Sequence, residues 1–363
     1  MTTLPGPPDE PDAATEGAAG AATQGRDPME IAEDVVDDVA RELDPAELAS
    51  MERLDQPHRL LLVHAHPDDE SLGTALTMAR YADAGAHVVL LTATRGELGE
   101  VIPPELAHLT PDELAEHRTG ELAAAMEALG VEDHRFLTRP DGSGYRDSGM
   151  VWVEPGRAAA GEDVDPRALT AADPEEVAGR IAQVLREVRP QVVVTYEPGG
   201  GYGHPDHVRV AEATARALVL AAGSGDGAAP AREPDVPWQV AKVYEIVQPV
   251  GEARAALRRL AEAGAPGAVD PDGPLPSVVV PDEQVTTVVD GAEQLPAKIA
   301  ALRAHATQVV LDLDAPVPAL RLSNGVPQPL TTREHFRLVH GVAAGPLDAD
   351  GRETDLFAGI ATS

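Results

Sequence analysis

The apolar run Leu60-Leu61-Leu62-Val63 has no polar position to turn toward water. A strand with this pattern is buried on both faces, as in a parallel sheet covered by helices, so the run points to an α/β architecture. His66-Pro67-Asp68-Asp69-Glu70 follows at once, and Leu72 to Ala84 then reads as a helix. The layout recurs further on. Gln191-Val192-Val193-Val194-Thr195-Tyr196 is a second buried-strand run, Tyr202-Gly203-His204-Pro205-Asp206-His207 a second polar loop, and Val208 to about Leu220 a second helix. Each unit carries a His-Pro-Asp loop to the carboxyl edge of the sheet, where ligands bind in open α/β folds. In a doubly wound sheet the first strand and the first strand after the reversal lie side by side, which puts the two loops across one crevice. The expected fold is a Rossmann-like, doubly wound, mostly parallel sheet with helices on both faces and a smaller C-terminal α+β extension.

Imidazole nitrogen and carboxylate oxygen are the ligand types of catalytic zinc. His66 and Asp69, three apart across a turn, can converge on one ion and leave Asp68 free between them. A plainer reading of this loop is that Asp68 or Asp69 caps the next helix, accepting a backbone N–H and opposing the helix dipole. The second loop favours the metal, because it offers His207 from the facing strand end. His66, Asp69 and His207 are thus the expected protein ligands, with an open fourth position, for one Zn2+ per chain; Fe2+ and other divalent ions also suit such donors.

The two loops carry a family resemblance. Ala65-His66-Pro67-Asp68-Asp69-Glu70 together with Gly203-His204-Pro205-Asp206-His207 resembles the zinc-dependent N-acetylglucosaminyl deacetylases. Arg95 to Ile102, Arg146 to Met150, His305 to Val310 and Glu353 to Leu356 resemble the mycothiol branch of that family, whose substrate is N-acetylglucosaminyl-inositol, and the likeness runs from about residue 58 to the C-terminus. It implies an N-deacetylase acting on a small sugar-inositol. It also implies that Arg118 and Asp147 contact the substrate, where each would otherwise read as an ordinary surface or loop residue. The stretch Thr138 to Gly144 departs from the pattern, with Arg139-Pro140-Asp141 in place of a shorter glycine-rich turn.

Amide hydrolysis needs a nucleophilic oxygen, a sink for charge on the carbonyl oxygen and a proton for the leaving amine. Asp68 is placed to act as general base and then acid. Tyr202, beside Gly199-Gly200-Gly201, can donate to the oxyanion, and His204 aids charge stabilisation or proton delivery. Asp206 is better suited to capping a helix or orienting a ligand histidine.

Composition excludes several other classes. Twenty-eight basic against sixty-one acidic residues give a net charge of −33, which repels phosphate backbones and anionic lipid surfaces, so neither nucleic acid nor a membrane is expected as a partner. The chain has no cysteine, hence no disulfides or thiolate sites. Thr2 to Arg26 is rich in Pro, Gly, Ala and acid and too poor in apolar residues to offset ordering entropy. Residues 1–57 therefore read as an acidic, largely disordered extension with an amphipathic helix over 29–54. Residues 58–250 read as the catalytic core and 251–363 as a smaller part of the same unit. Nothing resembles an export signal, and the expected location is cytoplasmic.

Three rivals stand beside this reading. A sister amidase acting on mycothiol S-conjugates would share the site. A nucleotide-binding oxidoreductase would need a G-x-G-x-x-G turn after the first strand, where this chain is acidic. A non-catalytic metal-binding protein would have no use for a free Asp68.

Overall fold

The computed structural model describes residues 57–154, 157–161, 164–223 and 236–360. The extension expected over 1–57, with its helix over 29–54, lies outside them but for Pro57.

Strands β1 (Arg59–His64), β2 (His87–Thr92) and β3 (Asp133–Phe136) are followed by a small hairpin, β4 (Val151–Glu154) and β5 (Arg157–Ala159), and then by β6 (Val192–Tyr196) and β7 (Lys242–Pro249). Strands β8 (Val279–Val280), β9 (Thr287–Asp290), β10 (Val310–Asp312), β11 (Ala319–Arg321), β12 (Pro327–Pro329) and β13 (Arg333–His340) complete the set. The main sheet runs in the order β3-β2-β1-β6-β7-β13-β9, with β8 pairing β7. Strands β3, β2, β1, β6 and β7 are parallel, while β13 is antiparallel to both β7 and β9. The direction of winding reverses between β1 and β6, so the crevice expected at that point is present. The C-terminal residues extend this sheet through β9 and β13, and β10, β11 and β12 form a separate antiparallel sheet.

Strand alternation explains why the first run can be apolar throughout. Leu61 and Val63 face one layer, with Val177, Ile181, Leu185, Val210 and Ala217 of α4 (Pro174–Val188) and α5 (Pro205–Ala222). Leu60 and Leu62 face the other, with Ala75 and Met78 of α2 (Ala75–Asp83), Leu122 and Met126 of α3 (Pro111–Leu129) and Ala301 of α7 (Leu295–Ala304). Both sets are buried, and truncating any one of these leucines to alanine would cost about 2–5 kcal/mol. Helix α3 begins at a capping box, Thr110 with Glu113, and ends at Gly130 with φ 69°. Helix α6 (Val250–Glu262) follows β7. No helix of the described residues is long and apolar enough to cross a membrane.

Two element boundaries differ from expectation, and both matter to the site. The helix expected over 72–84 is broken into α1 (Asp69–Gly73) and α2, because Thr74 leaves helical geometry at φ −141° and its hydroxyl bonds Glu70 O at 3.1 Å and His64 Nε2 at 3.0 Å. Helix α1 therefore takes Asp69 and Glu70 into its first turn. The helix expected from Val208 begins at Pro205, a residue whose fixed φ and missing N–H suit a first helical position.

Candidate metal centre and active site

The β1 loop and the β6 loop meet because β1 and β6 are neighbours in register, Leu60 opposite Val192 and Leu62 opposite Val194. Three side chains of the expected ligand set then converge. His66 Nδ1 lies 3.3 Å from His207 Nε2, His207 Nε2 lies 3.3 Å from Asp69 Oδ1, and His66 Nδ1 lies 3.4 Å from Asp69 Oδ2. All three residues are buried. Donors at the corners of a tetrahedron around an ion at roughly 2.0 Å stand roughly 3.3 Å apart, so this donor set and spacing fit a zinc-sized ion. His66, His204 and His207 also bring one ligand atom each within 4.8 Å of one another. His204, however, already uses Nδ1 to accept the Asp206 N–H at 3.1 Å, capping α5.

Each member of the triangle is oriented by a second residue. His66 Nε2 donates to Asp206 Oδ2 at 3.1 Å, and Ser148 N donates to the same oxygen at 2.9 Å while the Ser148 hydroxyl donates to Asp206 Oδ1. Of the two roles read for Asp206, orienting a histidine is thus the one its contacts match, and the cap belongs to His204. Tyr196 was a strand residue in the sequence, with nothing to set it apart. Its hydroxyl donates to Asp69 Oδ2 at 2.8 Å and accepts from Ala65 N at 2.8 Å, and its ring stacks on His207 at 4.3 Å. This leaves Asp69 Oδ1 facing His207 Nε2.

Asp68 stands outside the triangle. It makes no side-chain cap bond, so the plainer reading of this loop fails for Asp68, and its backbone has the unusual φ of 120° for a residue with a side chain. Such strain persists only where the surroundings hold it. Glu70 Oε2 accepts the Asp68 N–H at 2.9 Å, and Arg118 lies 3.3 Å from Asp68 Oδ2 while donating to Gly96 O at 2.8 Å and to Pro67 O. Glu70 is fully buried and takes further bonds from Ser71 Oγ at 2.6 Å and His305 Nε2 at 2.7 Å. No role for Glu70 or His305 was legible in the sequence, where Glu70 closes the first polar loop and His305 opens the run 305–310.

Electrostatics separate these groups. Burial, opposed by Arg118 and aided by Asp69, pushes the Asp68 carboxyl up to about 6. Burial acts the same way on Asp69, but His207 and His66 outweigh it and hold Asp69 well below the usual carboxylate range. Burial would lower His66, yet Asp147, Asp206 and Asp69 keep it well above an ordinary imidazole. His204 is held well below its usual value by burial and by His66 and His207, so its ring is neutral. Burial and then Asp69 raise Tyr202, which keeps its proton at any physiological pH.

A cleft with about 730 Å³ of empty space, open solvent included, lies over this arrangement. His66, Asp68, Asp69, Arg118, Asp147, Tyr202 and His204 all line it, whereas His207 sits beneath. Arg118 is 2% exposed and is no surface arginine, because Gly96 and the loop around it close over the guanidinium. Asp147 accepts from Leu98 N at 3.2 Å and Gly149 N at 2.8 Å, and its own N–H donates to Glu97, which ties the loop after β2 to the rim. Leu98, Met150, Trp152 and Gln308 are also part of the wall.

The PIG-L family, described as GlcNAc-PI de-N-acetylase, matches residues 61–218. The 1D-myo-inositol 2-acetamido-2-deoxy-alpha-D-glucopyranoside deacetylase of Kineococcus radiotolerans is 80% identical over 363 residues, covering 100% of both chains. The deacetylase of the same name from a Nocardioides species is 50% identical over 311 residues, 83% of this chain and 98% of its own. Among solved structures, the N,N'-diacetylchitobiose deacetylase from Pyrococcus horikoshii aligns with 78% of this chain and 81% of its own at 18% identity and a TM-score of 0.45. With full-length identity of this order, and with both His-Pro-Asp loops in place, the chain belongs to the PIG-L family of metal-dependent N-deacetylases.

Proposed function

We propose that this protein hydrolyses the N-acetyl group of N-acetylglucosaminyl-inositol, releasing acetate and the free amine, as a step of mycothiol biosynthesis. The observation that carries the reading is a carboxylate outside the donor triangle, Asp68, held on a strained backbone and lining a cleft beside a two-histidine, one-carboxylate donor cluster. The 80% identical relative named for this substrate supports the choice of sugar-inositol.

His66, Asp69 and His207 would hold a Zn2+ ion, and the same donors would accept another divalent cation. When bound, the ion supplies Lewis acidity toward the amide carbonyl and brings the pKa of water to about 7. Asp68 takes a proton from the attacking water and returns one to the departing amine nitrogen. Its position near 6 suits both duties, since the best acid–base catalysts titrate near the working pH. Tyr202, protonated and lining the cleft, donates to the oxyanion of the tetrahedral intermediate. His204, neutral and with Nδ1 committed to Asp206 N–H, offers Nε2 to the reacting groups. Arg118 and Asp147 would contact sugar or inositol hydroxyls at the rim, and Arg118 also holds Asp68 in place.

The test is to give metal-loaded protein N-acetylglucosaminyl-inositol and a mycothiol S-conjugate side by side and to measure amine release. Turnover of the first well above the second is expected. Preference for the conjugate would make the protein the sister amidase, and no turnover of either would refute the enzymatic reading.

A further inference from the structure

We infer that Trp152 is a positioning residue for Tyr202, and that the hairpin β4–β5 exists to aim the oxyanion donor. The inference rests on the reading of Tyr202 given above. Along β4, alternation turns Val151 and Val153 outward, where they are about half exposed at 48% and 49%, and leaves Trp152 on the opposite face. There the indole stacks on the Tyr202 ring, with centroids 5.5 Å apart and planes 25° from parallel. The paired strand β5 grips the backbone of the same residue: Ala158, opposite Trp152 in the ladder, donates its N–H to Tyr202 O at 2.9 Å. Next to it, Gly203 has φ 93°, and a Cβ there would stand 2.8 Å from Ala158 O, so only glycine permits this approach.

Tyr202 needs such a grip. Its loop contains three glycines at positive φ, Gly200, Gly201 and Gly203, and turns freely unless held. Val278 N and Ser277 Oγ fix Gly201 O at 3.0 Å each, but these bonds set the backbone and leave the ring free to rotate. The ring is set by aromatic neighbours, His207 edge-on at 5.1 Å below and Trp152 stacked above. Among the described residues no hydrogen-bond partner meets Trp152 Nε1, and the contact the indole does make is its stack on the Tyr202 ring.

A double-mutant cycle on the metal-loaded enzyme tests this. Trp152→Ala should lower kcat by roughly 10–10²-fold with little change in KM, the scale of loss expected when a catalytic group is misplaced, and Trp152→Phe should recover most of it. In a Tyr202→Phe background, Trp152→Ala should cost nothing further. An equal loss in both backgrounds, or a loss confined to KM, would overturn the inference. Tyr202→Phe alone separates the two levels: full kcat in that variant refutes the role given to Tyr202 itself. A measurement that needs no turnover guards against misfolding of the alanine variant. With Trp238→Phe, Trp152 is the sole tryptophan of the chain. Its emission should shift to the red in Tyr202→Ala and stay put in Tyr202→Phe, and unchanged emission in Tyr202→Ala would show that the stacking does not exist in solution.

Discussion

Replacing Asp68 by asparagine tests the role proposed for it apart from that proposed for Asp69, the ligand beside it. The substitution keeps the shape of the side chain, and its amide oxygen can still accept from Arg118, which stands 3.3 Å from Asp68 Oδ2. The strained backbone should also survive, because the Asp68 N–H bond to Glu70 at 2.9 Å does not involve the side chain. What disappears is the base. A positioned general base contributes roughly 10²–10⁴ in rate, so kcat for amine release from N-acetylglucosaminyl-inositol should fall by that factor, or about 2.7–5.4 kcal/mol of barrier. Metal content should stay at the wild-type level, since the triangle of 3.3–3.4 Å contacts omits Asp68. The pH profile gives a second measure. A carboxyl whose pKa is raised to about 6 is lost as a base when pH falls through that value, and at pH 7 it is about 90% ionised. A cation in the adjacent triangle favours the carboxylate, so the acid limb of the loaded enzyme should lie at or below 6, and Asp68→Asn should lack it. Loss of metal from Asp68→Asn, with Asp69→Asn keeping metal and losing only turnover, would exchange the two roles and refute the mechanism. An unchanged acid limb in Asp68→Asn would refute the assignment of the base.

Under limiting metal, His207→Ala should bind far less zinc than wild type, measured by metal analysis after desalting; full occupancy would remove His207 from the ligand set. Uptake of zinc by apoprotein in weak buffer should release about one proton near neutral pH, because Asp147, Asp206 and Asp69 keep His66 protonated until the ion displaces that proton. Arg118→Met removes the charge that lowers Asp68, so the acid limb of the pH–rate profile should move up by about 1–3 units, and a limb that stays or moves down would contradict the pairing. Away from the site, Glu353 is fully buried and accepts from Lys242 Nζ at 2.6 Å, Tyr244 OH at 3.0 Å, Thr287 Oγ1 at 3.1 Å and Ala344 N at 2.6 Å. Glu353→Ala strands a buried ammonium and should cost about 3–5 kcal/mol, read as a fall of at least roughly 6 °C in melting temperature.

Much of this site follows from the sequence because its chemistry is local. Leu60 to Val63 can satisfy four apolar side chains only between two covered faces, and that requirement fixes β1 as an interior strand. Two interior strands, each ending in a His-Pro-Asp loop, then put His66, Asp69 and His207 on one edge. Asp68 is singled out by standing between two proposed ligands on a turn too tight for both aspartates to face one ion. The residues that hold these groups in place came from elsewhere in the chain. Glu70 meets His305 across 235 positions, His66 meets Asp206 across 140, and Asp69 meets Tyr196 across 127. None of these pairs has a periodicity or a spacing, since each depends on which loops the sheet order brings together. The burial of Arg118 was illegible for the same reason: its place on α3 by itself suggests solvent, and only the loop around Gly96 buries it. Residue types and short spacings therefore determined which polar side chains meet at this edge of the sheet. Long-range packing decided which hydrogen bonds hold them, because the entropy of closing such loops is met only when the whole sheet forms.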